Sequence, residues 1–181
     1  MTPHRHYRYL GPADLRGSSS GEGRVEVDRV ETVRQWLDDQ DPRDRAEPFT
    51  FVVTLGGRIR LAPRRSEHVV CAGGQDVLAA GEVRFEVDGE GPQVVEISNQ
   101  STGYCPDVDC WAAVEEALDA IGLRHPVGFT APVVFRRCPS CLERNVVRDD
   151  DYVCAVCDSD LPREWNLDTP HWMERDGGEA Y

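Results

Sequence analysis

The chain contains no lysine. All twenty of its positive side chains are arginine, set against thirty-three acids, for a net charge of −13 and a pI near 4.7. So acidic a surface repels phosphate backbones and disfavours broad nucleic-acid binding. Long apolar runs are missing too: no stretch approaches the ~20 apolar residues that span a bilayer. No secretory signal is visible, because His4-Arg5-His6-Tyr7-Arg8-Tyr9 has no apolar run behind it. A soluble, cytoplasmic protein is the expectation. With 181 residues, 40% of them hydrophobic, the chain suits one globular unit plus a small appendage rather than two full domains. The all-arginine, Ala/Gly/Val-rich composition is what a GC-rich genome encodes.

Cysteine is not scarce, and its spacing carries the strongest chemistry. Cys138-Pro139-Ser140-Cys141 is followed, after twelve residues, by Cys154-Ala155-Val156-Cys157. Each short pair lets two thiolates point at one centre. Two pairs joined by a short hairpin put four sulfurs around one metal, the tetrahedral shell that Zn²⁺ favours at about 2.3 Å. A thioredoxin-like redox role calls for one such pair near a βαβ pattern, whereas two pairs and no such pattern are present. Iron remains an alternative ion, since a Cys₄ shell accepts either. Four protein thiolates leave no open position for water or substrate, so the role predicted is structural. Cys71, Cys105 and Cys110 remain outside the quartet, and free thiols beside a thiolate metal site fit a reducing compartment.

The rest of the chain reads as α+β: an antiparallel sheet with two helices, plus a C-terminal zinc ribbon. Residues 1–24 form an N-terminal arm, 25–132 an α+β domain, 133–168 the ribbon and 169–181 a tail. Asp28 and Glu31 resemble a capping box ahead of a helix whose stripe is Val30, Val33, Trp36 and Leu37. Phe49 to Leu55 alternates, Gly56-Gly57 supplies a two-residue turn, and Arg58 to Leu61 returns. Val83, Phe85 and Val87 alternate with Glu82, Arg84 and Glu86. Asp88 to Gly91 turns the chain, and Val94, Val95 and Ile97 bring it back. A second helix carries Trp111, Val114, Leu118 and Ile121 on one stripe. Asp107 or Asp109 caps its start, and Gly122 with Leu123 closes its end.

In the C-terminal third, Asn145 to Arg148 and Asp151 to Val153 are β-prone pieces around an acidic turn at Asp149-Asp150. Together with the cysteine pairs, the segment from Phe135 to about Trp165 resembles the zinc-ribbon, or rubredoxin-like, family of Cys₄ modules. The resemblance implies a structural zinc held by Cys138, Cys141, Cys154 and Cys157, and it specifies no activity. The glycine usual after the second cysteine of each knuckle is replaced by Leu142 and Asp158. Aspartate tolerates a left-handed backbone there; leucine does so poorly.

A second chemical candidate lies in the middle. Ser66 to Gly74 holds His68 and Cys71 beside a glycine pair, and Ser98 to Pro106 strings Asn99, Ser101, Tyr104 and Cys105 before a helix start. A loop at a helix N-terminus offers free N–H groups and a place for a thiolate. The catalytic reading makes His68 a base or orienter and Cys71 or Cys105 the nucleophile. Tyr104, Ser101 and Asn99 then supply hydrogen bonds, with Glu82 in the same cleft. The plainer reading makes these buried thiols, a satisfied histidine and turn residues. The order of a His, Ala79-Ala80-Gly81-Glu82 and then Ser101-x-Gly103-Tyr104-x-Pro106 is similar to modules of bacterial toxin and effector proteins, which implies a bacterial accessory or conflict-related protein.

The arm's His4, Arg5, His6, Tyr7, Arg8 and Tyr9 either meet an anionic ligand or dock on the protein's own acidic surface. Trp165, Trp172 and Met173 are expected to fold back over the ribbon or to mark a partner site. From Val133 to Tyr181 there are six arginines and eleven acids, 6 − 11 = −5. The function expected is a zinc-binding accessory protein that docks a protein partner of basic character. The alternative is a Cys/His-dependent hydrolase or transferase, possessing a pocket around His68, Cys71, Tyr104 and Cys105.

Overall fold

Alternation of apolar and polar residues around tight turns gives the chain its sheets. A computed structural model describes residues 4–16 and 23–168, and the chain divides into two compact units, Met1–Pro132 and Val133–Tyr181. The first unit holds α1 (Ala13–Arg16), β1 (Val25–Val27), α2 (Val30–Asp38), β2 (Phe49–Thr54), β3 (Ile59–Ala62), α3 (His68–Cys71), β4 (Val77–Asp88), β5 (Gly91–Ser98) and α4 (Trp111–Ala120). The second holds β6 (Val134–Arg137) and β7 (Arg144–Val147). The fold is α+β. Its main sheet has five strands in the order β1-β3-β2-β4-β5, antiparallel throughout, and β6 pairs with β7 as a separate ribbon. The two helices expected are α2 and α4; α1 and α3 are single turns that no periodicity announced.

Local chemistry departs from the sequence reading at several joints. The β2–β3 connection is a three-residue loop, because Thr54 N bonds to Arg58 O and Gly57 takes the left-handed position (φ 73°). That is the form in which a hairpin closes with one left-handed residue. Asp28 does not cap α2; Arg29 occupies the N-cap, and Asp28 instead accepts the Thr32 hydroxyl at 2.6 Å. Asp107 accepts from Val108 N at 2.7 Å and so caps the 3-10 turn Val108–Cys110 that leads into α4. The end of α4 follows expectation: Gly122 has φ 71°, Gly122 N bonds to Asp119 O and Leu123 N to Leu118 O. The buried stripe of α4 is Ala113, Val114, Ala117 and Leu118, while Trp111 turns to Phe129 and His125.

One sheet face carries the main apolar core. Val27, Phe51, Ile59, Leu61, Val83 and Phe85 meet Val33 of α2 and Val114 and Leu118 of α4. Four-residue α3 packs on β2 and β3. The described part of the arm belongs to this unit. Tyr7 is buried and pairs with Val77 in both directions, 2.7 and 3.1 Å, at the end of β4 that β5 does not reach. Tyr9 lies edge-on to Tyr104, His4 meets Glu116 at 2.9 Å and Arg5 meets Asp107 at 3.3 Å. The arm thus docks on the acidic surface of its own unit. Trp172 and Met173 lie outside the described residues.

Gly81 is the tightest joint of the sheet. A Cβ there would sit 1.9 Å from Ser98 O on β5. Gly81→Ala therefore forces β4 and β5 apart. It is expected to lower unfolding free energy by about 3 kcal/mol, the upper range of overpacking. Urea denaturation followed by tryptophan fluorescence measures it.

Candidate metal centre

The second unit is built as two matching loops. In the first, Cys138 N bonds to Glu143 O and Leu142 N to Cys138 O, at 2.9 and 3.0 Å; in the second, Cys154 N bonds to Ser159 O and Asp158 N to Cys154 O, at 2.8 and 3.0 Å. Each loop turns through a left-handed residue, Leu142 (φ 67°) and Asp158 (φ 58°). The β6–β7 ladder carries the first loop at its tip. This differs from the expected hairpin of Asn145–Arg148 with Asp151–Val153. That hairpin contributes a single bridge, Arg148 to Asp151, closed by Asp149 and Asp150, both left-handed (φ 52° and 58°). Two consecutive left-handed residues make the turn that matches strand twist, and Asp is among the residues that tolerate it. The second loop is closed by the bridge Val153 to Asp160.

These loops bring Cys138, Cys141, Cys154 and Cys157 together, with every sulfur within 4.8 Å of the others. Cys138 Sγ is 3.5 Å from Cys157 Sγ, and Cys141 Sγ is 3.6 Å from Cys154 Sγ. A tetrahedron with metal–sulfur bonds of about 2.3 Å has edges of about 3.8 Å, so the spacing fits one ion. The four cysteines could hold a metal in the manner of a zinc ribbon. Polar hydrogens are aimed at the sulfurs. Val156 N and Asn145 Nδ2 each lie 3.5 Å from Cys154 Sγ, and the Ser159 hydroxyl lies 3.4 Å from Cys157 Sγ. The Val156 amide leads in pulling Cys154 down to about 6, and the Ser159 hydroxyl leads in lowering Cys157. Such donors favour thiolates, the form that binds metal.

Asn145 was not foreseen as a site residue. Its Oδ1 accepts from Ala155 N at 3.0 Å while its Nδ2 reaches Glu143 O and Cys154 Sγ. One buried side chain thereby ties the two loops. The available signal was an asparagine inside a β-prone run, where that residue is normally depleted. Arg136 is buried as well and donates to the carbonyls of Phe135, Pro162 and Arg163. Tyr152 lies under the Arg163 guanidinium at 4.0 Å.

The middle-segment candidates all lie in the first unit, each with its own neighbours. His68 Nε2 is 2.9 Å from Gly81 O; a carbonyl only accepts, so Nε2 carries the proton. Burial lowers the pKa of this histidine, keeping it neutral. Cys71 Sγ faces Arg60 O at 3.7 Å, and burial pushes its thiol up to about 12. Tyr104 donates to Gln75 O at 2.6 Å, and burial raises its hydroxyl too. Cys105 has φ 47° and its sulfur lies 3.3 Å from Thr102 O. Glu82, its carboxyl raised by burial, faces a cavity of about 350 Å³ shared with Pro48, Glu96, Ser98, Gln100 and Thr130. Asn99 and Ser101 serve the turn: Asn99 Nδ2 donates to Pro106 O, and Ser101 O accepts from Cys105 N.

Two outcomes follow from this geometry. His68 is neutral when folded, with its pKa depressed below the unfolded value of 6.5. Its contribution to stability is complete above about pH 6.5 and is lost as pH falls below that value. Denaturation midpoints measured between pH 7 and pH 5 should therefore fall, and His68→Gln should flatten that fall. Leu142→Gly should raise the stability of the second unit by about 1 kcal/mol, because glycine removes the left-handed penalty of about 1–2 kcal/mol and adds some unfolded-state entropy. Thermal melting of the metal-loaded chain reads the change.

Comparison with known proteins adds no relative: no family model matches the chain, and no curated protein or solved structure matches it.

Proposed function

We propose that the chain is a zinc-binding accessory protein whose second unit, shaped by a structural Cys₄ site, docks a protein partner. The observation that carries the reading is the closed sulfur quartet. Four protein donors within 4.8 Å of one another complete a tetrahedral shell and leave no position for substrate. Bound there, the ion would crosslink two loops that otherwise share little core. Thiolates take zinc or iron; zinc is the ion we propose, and elemental analysis decides. A thiolate metal site of this kind fits a reducing, cytoplasmic setting. No helix among the described residues is long and apolar enough to cross a membrane.

The docking part rests on the surface of the second unit. Val146, Val153 and Val156 are exposed large apolar side chains there, and Val156 stands at the tip of the second knuckle. Around them the segment from Val133 carries its net −5, so the partner expected is basic. The Cys/His enzyme reading draws no support from the contacts of His68, Cys71 and Tyr104, whose hydrogens are given to backbone carbonyls.

Cys154→Ser removes a buried ligand and tests both parts. Purified protein should hold about one ion per chain, and the variant should hold none. The second unit should then lose its amide protection from hydrogen exchange while the first keeps it. A partner captured by the parent chain should be lost by the variant. An unaltered metal content would remove the ligand assignment, and a partner retained without metal would remove the docking reading.

A further inference from the structure

The four cysteines of the second unit differ in residue exposure. Cys138 and Cys154 are buried, Cys141 is half-buried and Cys157 is exposed. Position explains the order. Cys138 and Cys154 open their loops and have their amides tied beneath them. Cys157 closes the second loop among Ala155, Val156 and Asp158, all exposed. A sulfur of the other loop, Cys138 Sγ, lies 3.5 Å from it. Cysteine oxidation follows exposure. Cys71 and Cys110, by contrast, are buried with raised thiols.

We propose that Cys157 is the site at which a hydroperoxide modifies this protein, and that closure of a Cys157–Cys138 disulfide then releases the metal. The inference rests on the metal reading above. In the first step a lone pair of the Cys157 thiolate attacks one oxygen of hydrogen peroxide. An S–O bond forms, the O–O bond breaks, and hydroxide leaves. In the second step the Cys138 thiolate attacks the Cys157 sulfur. The S–S bond forms, the S–O bond breaks, and a second hydroxide leaves. Two electrons pass from the two sulfurs to one peroxide, and two solvent protons turn the hydroxides into water. Each loop loses one donor. Cys141 and Cys154 remain, and two thiolates do not complete the shell that a structural site needs.

The test uses the full chain as purified, desalted and exposed to hydrogen peroxide. Bound metal is read by elemental analysis, and oxidation sites are read by peptide mass spectrometry with a sulfenic-acid trap. The expected result is trap label at Cys157, a Cys138–Cys157 crosslink and loss of the ion in step with it. Cys157→His keeps a metal donor, since Cys₃His shells hold zinc; its ion should leave at least about tenfold more slowly. Retention of the ion after peroxide treatment overturns the inference. So does first labelling at Cys138, Cys141 or Cys154, or equal release from Cys157→His. Mapping on the unsubstituted chain decides the matter even where that variant binds no ion. An absence of metal before peroxide overturns the metal reading itself, and the inference with it.

Discussion

The second unit depends on one constraint, four sulfurs converging on a point. Its described buried apolar residues are few: Phe135, Leu161 and Leu167, besides Cys138 and Cys154. The cluster around the site is Cys138, Cys154 and Leu161, with Cys141, Val147 and Tyr152 at its margin. A core of that size does not by itself hold a segment of this length. The backbone is strained as well. Four of the six left-handed non-glycine residues described in the chain fall here, at Leu142, Asp149, Asp150 and Asp158. Each costs about 1–2 kcal/mol. A structural zinc site contributes about 10–16 kcal/mol of binding free energy to folding. An ion of that kind bound here would outweigh the strain about twofold, enough to let unfavourable turn geometry persist.

Charge is handled locally in a chain already at −13. Four thiolates around a dication leave about two negative charges. Arginine does not supply the answer: Arg136 spends its guanidinium on three carbonyls, and Arg163 lies over the Tyr152 ring. The hydrogens nearest the sulfurs come from Val156 N and Asn145 Nδ2, while the Cys157 thiol donates to Ser159 Oγ. Neutral dipoles fixed by the loops stabilise the sulfurs without adding a mobile charge. Asn145 therefore has two roles, joining the loops and donating to a sulfur, and the outer partners of metal ligands commonly combine them.

The cluster of four cysteines was legible in the sequence because its information is local. Two Cys-x-x-Cys pairs have few other uses, and the spacing alone places four sulfurs. The sheet and the two long helices were legible from period, as was the Gly122-Leu123 stop. Strand partners were not, since β7 could pair with either neighbour and only the pairing with β6 frames the first loop. The three-residue loop at Gly57 differs from a two-residue turn by a single hydrogen bond register. The α3 turn is too short to show a period. The arm's fate depended on Tyr7 finding a free edge of β4, a long-range fact.

The middle segment shows what its candidate residues do in the fold. His68, Cys71 and Tyr104 have the chemistry of a catalytic cluster, yet their positions follow from backbone accounting. Between Val70 and Gln75 the chain leaves a single helical turn and crosses two left-handed glycines, Gly73 and Gly74, so its carbonyls leave the sheet ladder, though Val70 O still accepts from Gly73 N. Side chains fill the vacancy: Arg24 donates to Val70 O, Arg60 to Ala72 O, Arg16 to Gly74 O and Tyr104 to Gln75 O. His68 does the same for Gly81 O, beside the close approach of β4 to Ser98. Buried carbonyls must find donors, and a lysine-free chain meets that need with arginine, histidine and tyrosine. A nucleophile activated by His68 would need its basic nitrogen turned to a thiol. The proton-bearing Nε2 is instead locked to Gly81, and the Cys71 thiol is held protonated by burial. In their observed contacts these residues brace an irregular segment against the sheet.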